Sequence, residues 1–360
     1  MNLVGFDLYR YSLPLRRPPT LEGATLHHRE GLLLRLSGDD GSEGWGESAP
    51  LPGFSEESLD EAAERLRHLA GSLVGREIAV DWVNGAFGRQ LDSVDTAPSV
   101  RFGLELAVWN LYADHSGSDL PELVSSSPST AVPVNGLISF PMEALEEARR
   151  MGEAGYESVK LKVGARPVAE DARLVRELSE ELGNNVSLRL DANRAWGYKA
   201  AAQFTRDVAA VPLEYIEEPL ADPRRLPEFV REFGMPVALD ESLVGMESED
   251  LDEHRYARAV VLKPTLLGGI SRTLRLAGSA LHLGMTPVLS SAYESGVGTA
   301  ALVALAAGIG EHPVPAGLDT YRALAEDVLD TPLALPAPRV DVGQAIYASR
   351  KVAVSRLERI

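Results

Sequence analysis

Two lysines, Lys160 and Lys162, stand two residues apart in the run Ser158-Val-Lys-Leu-Lys-Val-Gly164, alternating with Val159, Leu161 and Val163. Such alternation marks a strand, whose side chains at i and i+2 share one face. Both ammonium groups therefore lie on one side and the apolar residues on the other. Downstream, further charged residues close apolar runs. Asp191 ends Val186-Ser-Leu-Arg-Leu-Asp191, Glu217 ends Leu213-Glu-Tyr-Ile-Glu217 and Asp240 ends Pro236-Val-Ala-Leu-Asp240, while Lys263 follows Ala259-Val-Val-Leu262. Any one acid alone reads more simply as a helix cap or an arginine partner. Three in series, with no Cys or His among them, form an all-oxygen donor set that leaves room for water and substrate, which suits Mg²⁺.

The chemistry this set could do is proton removal next to a carboxylate, with the metal holding the carboxylate and stabilising an enediolate. Lys162 is the candidate base. A lysine serves as a base only when its pKa falls toward working pH, and a neighbouring ammonium lowers it. Lys160 and the divalent ion are expected to do this for Lys162. Lys263 is expected to face Lys162 across the site. Lysine is scarce here: of 35 basic residues only 160, 162, 199, 263 and 351 are lysine. Arginine stays charged at any working pH, so a chain that keeps lysine at three of these positions keeps the cation that can lose its proton.

The spacing says what must position these groups. Lys162, Asp191, Glu217, Asp240 and Lys263 follow one another at 29, 26, 23 and 23 residues. Each interval fits one strand-loop-helix-loop unit, so each side chain falls at the end of a successive parallel strand. The strands expected are Val132–Ile138, Ser158–Val163, Val186–Asp191, Leu213–Glu218, Pro236–Asp240, Ala259–Lys263, Thr286–Ser290 and Val314–Asp319. About eight such units predict a closed α/β barrel with its site at the C-terminal strand ends. Residues 1–130 lack this alternation. They predict an α+β domain with strands Gly5–Leu13, Gly31–Leu36 and Gly44–Ser48. A helix from an N-cap at Ser55 to about Ala70 follows, then helices over Asp81–Ser93 and Ser99–His115. Two of its loops look purposeful: Pro18–Glu30, with Gly23 and Arg29, and Ala49–Ser55, where two prolines and a glycine stiffen a turn carrying Leu51 and Phe54. The barrel is expected over 131–320. The tail, 321–360, is expected to return to the first domain as strands Arg339–Val342 and Ala345–Leu357.

Composition excludes much. At 360 residues, 45% hydrophobic and 24% charged, the chain can bury a large core. A net charge of −18 argues against nucleic acid and anionic membranes as partners. Its best apolar run, Thr299–Ile309, is far short of the roughly 20 residues of a membrane span. No basic leader precedes Asp7, so no signal peptide and a cytoplasmic location are expected. Cysteine is absent, and the seven histidines show no metal spacing beyond the adjacent His27-His28. The run Gly296-Val-Gly-Thr-Ala-Ala301 fits a dinucleotide fingerprint, with Asp319 downstream, but lies in the seventh unit of the barrel pattern. The partner expected is a small-molecule carboxylate; nothing in the sequence sets an oligomeric state.

Six runs carry a resemblance to a known family: Gly44-Trp-Gly-Glu-Ser-Ala-Pro-Leu-Pro-Gly-Phe-Ser55, Arg189-Leu-Asp-Ala-Asn-Arg-Ala-Trp196, Ile216-Glu-Glu-Pro219, Leu239-Asp-Glu-Ser242, Val261-Leu-Lys-Pro-Thr265 and Gly317-Leu-Asp-Thr320. Over essentially its whole length the chain resembles the enolase superfamily, in which a lysine base works beside Mg²⁺. Within it the likeness is to the o-succinylbenzoate synthase family of menaquinone biosynthesis. The resemblance implies a modified TIM-type (β/α)7β barrel, with a capping domain built from the N-terminal segment and the C-terminal tail. It implies elimination of water from 2-succinyl-6-hydroxy-2,4-cyclohexadiene-1-carboxylate. Lys162 would take the proton α to the ring carboxylate and return one to the departing hydroxyl. Lys263 would lie over the other face of the ring. Asp191, Glu217 and Asp240 would hold Mg²⁺, with Mn²⁺ a possible substitute. Arg189, Ser290 and Gly317 match pocket positions, and Leu51, Phe54 and Arg29 match the two cap loops. The rival with the same machinery is an N-acylamino acid racemase, which needs a lysine on each face. A dipeptide epimerase fits less well, since Gly317-Leu-Asp-Thr320 holds one acid where an Asp-x-Asp pattern is usual. A non-catalytic binding barrel would be free to lose a ligand or a lysine, yet all five positions are filled.

Overall fold

The computed structural model describes residues 1–16, 18–21, 24–138 and 141–360. Gly23 of the first cap loop lies outside them.

Strands Leu3–Pro14, His28–Gly38 and Glu43–Ser48 pair antiparallel in that order, with Glu358–Arg359 on the far side of the first. The helix Pro98–Ser116 lies against this sheet, closest to Glu43–Ser48. The two glycines flanking Trp45 allow that approach. A Cβ on Gly44 would stand 2.2 Å from the Ala107 carbonyl oxygen, and one on Gly46 1.9 Å from that of Gly103. The next helix, Leu59–Leu73, begins later than its sequence predicts. Its N-cap is Ser58, which forms a capping box with Glu61. Ser55 is spent elsewhere: its hydroxyl accepts the Leu51 amide at 2.9 Å and closes the loop that precedes the helix. The expected helix over Asp81–Ser93 is broken into Trp82–Ala86 and Phe87–Asp92, with Gly85 at φ +92° at the break.

Seven parallel strands make the second sheet, in sequence order: Asn135–Ile138, Ser158–Lys162, Ser187–Asp191, Leu213–Glu217, Val237–Leu239, Ala259–Leu262 and Thr286–Leu289. Helices follow most of them, so both faces are covered and the strands read as near-continuous apolar runs. Val159, Leu161 and Val163 are buried in the large core shared with those helices. Tyr215, Ala238, Ala259, Val261 and Val288 form a separate cluster on the other side of the sheet.

No eighth strand forms over Val314–Asp319. Residues 316 and 317 nevertheless join the two sheet edges through single bridges, Val134 to Ala316 and Ser290 to Gly317. The Asn135 amide donates to the Ala316 carbonyl at 2.8 Å, and the Gly317 amide to that of Leu289 at 2.8 Å. Two residues thus close the barrel. The tail departs from expectation too. Arg339–Asp341 pairs with Ala131–Pro133 of the barrel, not with the cap. Val342–Ser349 is a helix, N-capped by Asp341, because Val342, Ala345 and Ile346 repeat with helical spacing. Glu358–Arg359 pairs with the first cap strand, and the Ala325 and Ile360 amides donate to its Pro14 and Leu8 carbonyls at 2.8 and 3.0 Å. No helix among the described residues is long and apolar enough to cross a membrane.

The glycine contact is testable by urea unfolding. Gly46→Ala forces the helix off the strand and is expected to cost about 3 kcal/mol, as overpacking against backbone does. Gly5→Ala meets nothing within 4 Å and is expected to stay within about 0.5 kcal/mol of the parent.

Candidate active site

Strand register places the functional side chains. Lys162 pairs with Asp191, and Asp191 with Glu217, so three of them stand in one row across three adjacent strands. Lys160 lies two residues deeper on the same face. Asp240 follows the fifth strand and Lys263 the sixth. A second set of contacts fixes the strand ends. Glu218, fully buried and at φ +38°, accepts the Asp240 amide at 3.1 Å and the Ser242 amide at 2.9 Å. Arg194 donates to its other oxygen at 3.1 Å. Glu241 accepts from the Asn193 side chain at 2.8 Å. The acids next to Glu217 and Asp240 therefore brace the site from outside, as strand alternation predicts.

The charges are balanced in pairs. Lys160 Nζ donates to Asp191 at 3.2 Å and to Glu217 at 2.9 Å, so these two carboxylate oxygens lie within about 6 Å of each other. Lys263 Nζ donates to Asp240 at 2.5 Å. Burial works against the charge on Lys160, but Glu217, Asp191 and Asp240 outweigh it and hold its pKa well above the usual lysine value. Burial likewise opposes the charge on Lys263, and Asp240 more than offsets it. Asp191 is buried, yet Lys160, Lys263 and Lys162 together hold its pKa below the ordinary value. Glu217 goes the other way. Burial outweighs Lys160, the neighbouring acids add to it, and its pKa is pushed up to about 8. Burial, with two acids nearby, outweighs the one ammonium that Glu217 shares with Asp191. Lys160 thus acts as a counter-ion to the acids rather than as a free like charge beside Lys162. This revises the role expected from the strand pattern alone.

Among the described residues, no three acidic or histidine side chains already form a closed cage for a metal. The lysines draw the carboxylates toward themselves. The donor set still fits a divalent cation: three carboxylates on consecutive strand ends, two ammonium groups between them, and one acid short of positive charge.

Above the row lies a cavity of about 150 Å³, lined among others by Lys160, Lys162, Asp191, Lys263, Leu51 and Phe54. Ser290 and Gly317 line it as well. A Cβ on Gly317 would stand 2.5 Å from the Ser290 hydroxyl, so this closing segment is glycine where it crosses the seventh strand end. The cavity shares Leu137, Lys162, Tyr293, Asp319 and Thr320 with a wider outer chamber of about 1090 Å³.

Two residues expected to touch substrate stand outside the cavity lining. Arg189 does not line the cavity. It is 1% exposed below Asp191, with Nε and Nη2 donating to Glu214 at 2.9 and 2.8 Å and Nη1 to the Pro315 carbonyl at 2.7 Å. Arg29, also 1% exposed, turns its donors to backbone carbonyls of the cap loop and of residues 292 and 293. Sequence patterns name a cation; they do not say that its donors are already used. Conversely, Asn193, Tyr293 and Asp319 line the cavity without having been singled out as site residues. Asn193 and Asp319 lie inside quoted runs and could have been found there. Tyr293 sits in an irregular loop at φ +64° that gives no periodic signal.

The glycine-rich run over 296–301 opens the helix Gly296–Gly308, as a dinucleotide fingerprint would. Its N-terminus already holds an anion. Glu47, fully buried, accepts from the Ser295 amide and hydroxyl at 2.8 and 2.5 Å and from the Gly298 amide at 2.7 Å. A buried carboxylate takes the place a pyrophosphate would need.

Comparison with known proteins fits this geometry. Residues 143–346 match the family described as enolase C-terminal domain-like, and residues 4–111 match the MenC N-terminal domain. The fold resembles a dipeptide epimerase from Enterococcus faecalis complexed with Mg and the dipeptide L-Leu-L-Tyr, with a TM-score of 0.85, 20% identity, and coverage of 99% of this chain and 100% of that one. It also resembles a muconate lactonizing enzyme from Pseudomonas fluorescens complexed with muconolactone (TM-score 0.84, 25% identity, 95% and 94% coverage). The chain belongs to the enolase superfamily and is an enzyme. Within that superfamily it is similar to o-succinylbenzoate synthases. It is 33% identical to that of Klebsiella pneumoniae over 90% of this chain and 92% of the relative. It is 35% identical to that of Pectobacterium atrosepticum over 89% and 92%. It is also 32% identical to protein PHYLLO, chloroplastic, of Arabidopsis thaliana, over 90% of this chain but only 21% of that protein.

Asp319 gives this site a pH signature. Burial above all pushes its pKa from 3.8 up to about 6, against Arg322 and the Leu137 amide. A raised carboxyl pKa stabilises the fold at low pH, and that stability is lost as pH rises through the folded value. Between about pH 4 and pH 7 the parent is expected to lose about 2–3 kcal/mol that Asp319→Asn does not lose, read by urea unfolding across that range.

Proposed function

We propose that the enzyme converts 2-succinyl-6-hydroxy-2,4-cyclohexadiene-1-carboxylate to o-succinylbenzoate and water, the dehydration step of menaquinone biosynthesis. The observation that supports this reading is the meeting of Lys162, Lys263 and Asp191 at one cavity, with Glu217 and Asp240 bonded to Lys160 and Lys263 beside it, in a chain whose synthase relatives match it nearly end to end. The Lys162 amine takes the proton from the carbon α to the ring carboxylate. The electron pair passes into the carboxylate as an enediolate. The C–O bond to the ring hydroxyl then breaks, and the Lys162 ammonium returns its proton to the departing oxygen, so water leaves and the ring becomes aromatic. Lys263 lies on a strand beyond the three acid-bearing ones, and its ammonium favours the delocalised anion over the neutral diene. Asp191, Glu217 and Asp240 would hold Mg²⁺, or Mn²⁺ in its place, which supplies positive charge where the enediolate's second negative charge develops. Leu51 and Phe54 cover the ring, and Ser290 and Gly317 border it.

The test is turnover of this acid with and without EDTA. Chelation is expected to abolish it, and Mg²⁺ to restore it. Lys162→Ala is expected to lower kcat by about 10³-fold or more, as loss of a general base does. Turnover surviving in Lys162→Ala would remove that residue as the base.

The presence of lysines on two non-adjacent strands of one cavity also fits a second reading, an N-acylamino acid racemase. In D₂O a racemase would exchange the α-proton of an N-succinyl amino acid in both enantiomers. Lys162→Ala would then spare exchange from one enantiomer only.

A further inference from the structure

Arg29 is a buried cation whose partners are backbone carbonyls alone; among the described residues it makes no ion pair. Nε donates to the Tyr293 carbonyl at 3.0 Å. Nη1 donates to those of Glu30 at 3.0 Å and Pro50 at 2.6 Å. Nη2 reaches Ala49 and, at 3.4 Å, Ala292. Ala49 and Pro50 begin the stiff cap loop. Ala292 and Tyr293 belong to the loop after the seventh barrel strand. One guanidinium therefore spans both sides of the cavity mouth.

The residues it joins are those that roof the site. Leu51, Leu266 and Ala292 pack together with Leu26, Phe54 and Tyr293 against them, and of these Leu51, Phe54, Leu266, Ala292 and Tyr293 line the cavity. The barrel side is braced independently. Buried Glu294 accepts the Ala292 amide at 2.7 Å and the Ser291 and Thr265 hydroxyls at 2.6 Å each. The cap loop has a smaller support, the turn closed by Ser55. A planar fork of five N–H donors can satisfy five carbonyls at once, four of them on two loops; the three donors of an ammonium cannot.

We infer that Arg29 is a positioning residue that fastens the Ala49–Ser55 loop over the cavity, fixing the apolar roof without touching the reacting atoms. The lysines and acids stand on barrel strands and keep their places without it. Loosening the roof weakens what it binds more than the chemistry beneath. This inference rests on reading the cavity as the reaction site, not on which carboxylate is turned over.

Hydrogen–deuterium exchange of the full chain tests it without substrate. In Arg29→Lys and Arg29→Met, amides of residues 49–55 are expected to exchange at least about tenfold faster, the strands of the barrel being unchanged, because hydrogen bonds to a charged donor are lost. In steady-state assays KM is expected to rise about tenfold, with kcat changing less than about threefold, the mark of lost binding rather than lost chemistry. Parent-like exchange over 49–55 in both variants overturns the inference, and so does a fall in kcat with KM unchanged. Failure of Arg29→Lys to fold overturns it too, since Arg29 would then be holding the fold rather than the roof. If the parent does not turn over the proposed acid, the reaction is wrong and the exchange result alone decides Arg29.

Discussion

The barrel mouth is organised by the pairing of buried charge. Three carboxylates and two paired lysines occupy the ends of consecutive strands, in surroundings dry enough to raise the cost of every unpaired ion. Lys160 is shared by Asp191 and Glu217, and Lys263 is taken by Asp240. Glu217, the more deeply buried of the two that share Lys160, has its pKa raised by that burial. Such a donor set suits a divalent cation, and Lys162, which alone of the three lysines in this mouth is exposed, is open to the cavity.

The fold keeps that arrangement from relaxing. A parallel ladder sets Lys162, Asp191 and Glu217 at one level by register. Glu218 and Glu241 brace the next strand ends from behind. The barrel itself is closed by two residues rather than a strand, and one of them, Gly317, is small because the Ser290 side chain occupies its flank. The cap then roofs the mouth, and its own buried groups are used to attach it. Glu47 sits on the N-terminus of a barrel helix, and Arg29 bridges the two loops that meet above the cavity.

Much of this was legible in order along the chain. Six of the seven strands fall where alternation and spacing put them, with ends shifted by one residue, the first begins at Asn135 rather than Val132 because Ala131–Pro133 pairs with the tail instead, and the acid row follows from regular intervals. The tail was misread because Val342, Ala345 and Ile346 carry helical spacing within a short segment that also alternates. The helix start at Ser58 was missed because two serines compete there, and only the fold shows that Ser55 is engaged by Leu51. Arg189 and Arg29 are expected at the substrate because they match pocket and cap-loop positions of the family, and a match of position does not show that their donors are already bonded.

The sequence by itself determined which groups this protein brings to chemistry and how far apart along the chain they stand, since strand period and unit length are local properties. What only the tertiary structure decided is which of those groups are already partnered. Lys160 became a counter-ion, Arg189 was taken by Glu214, and Arg29 became a bolt between two loops. Partnership depends on contacts between residues 21 to 263 positions apart, and no local pattern carries that information.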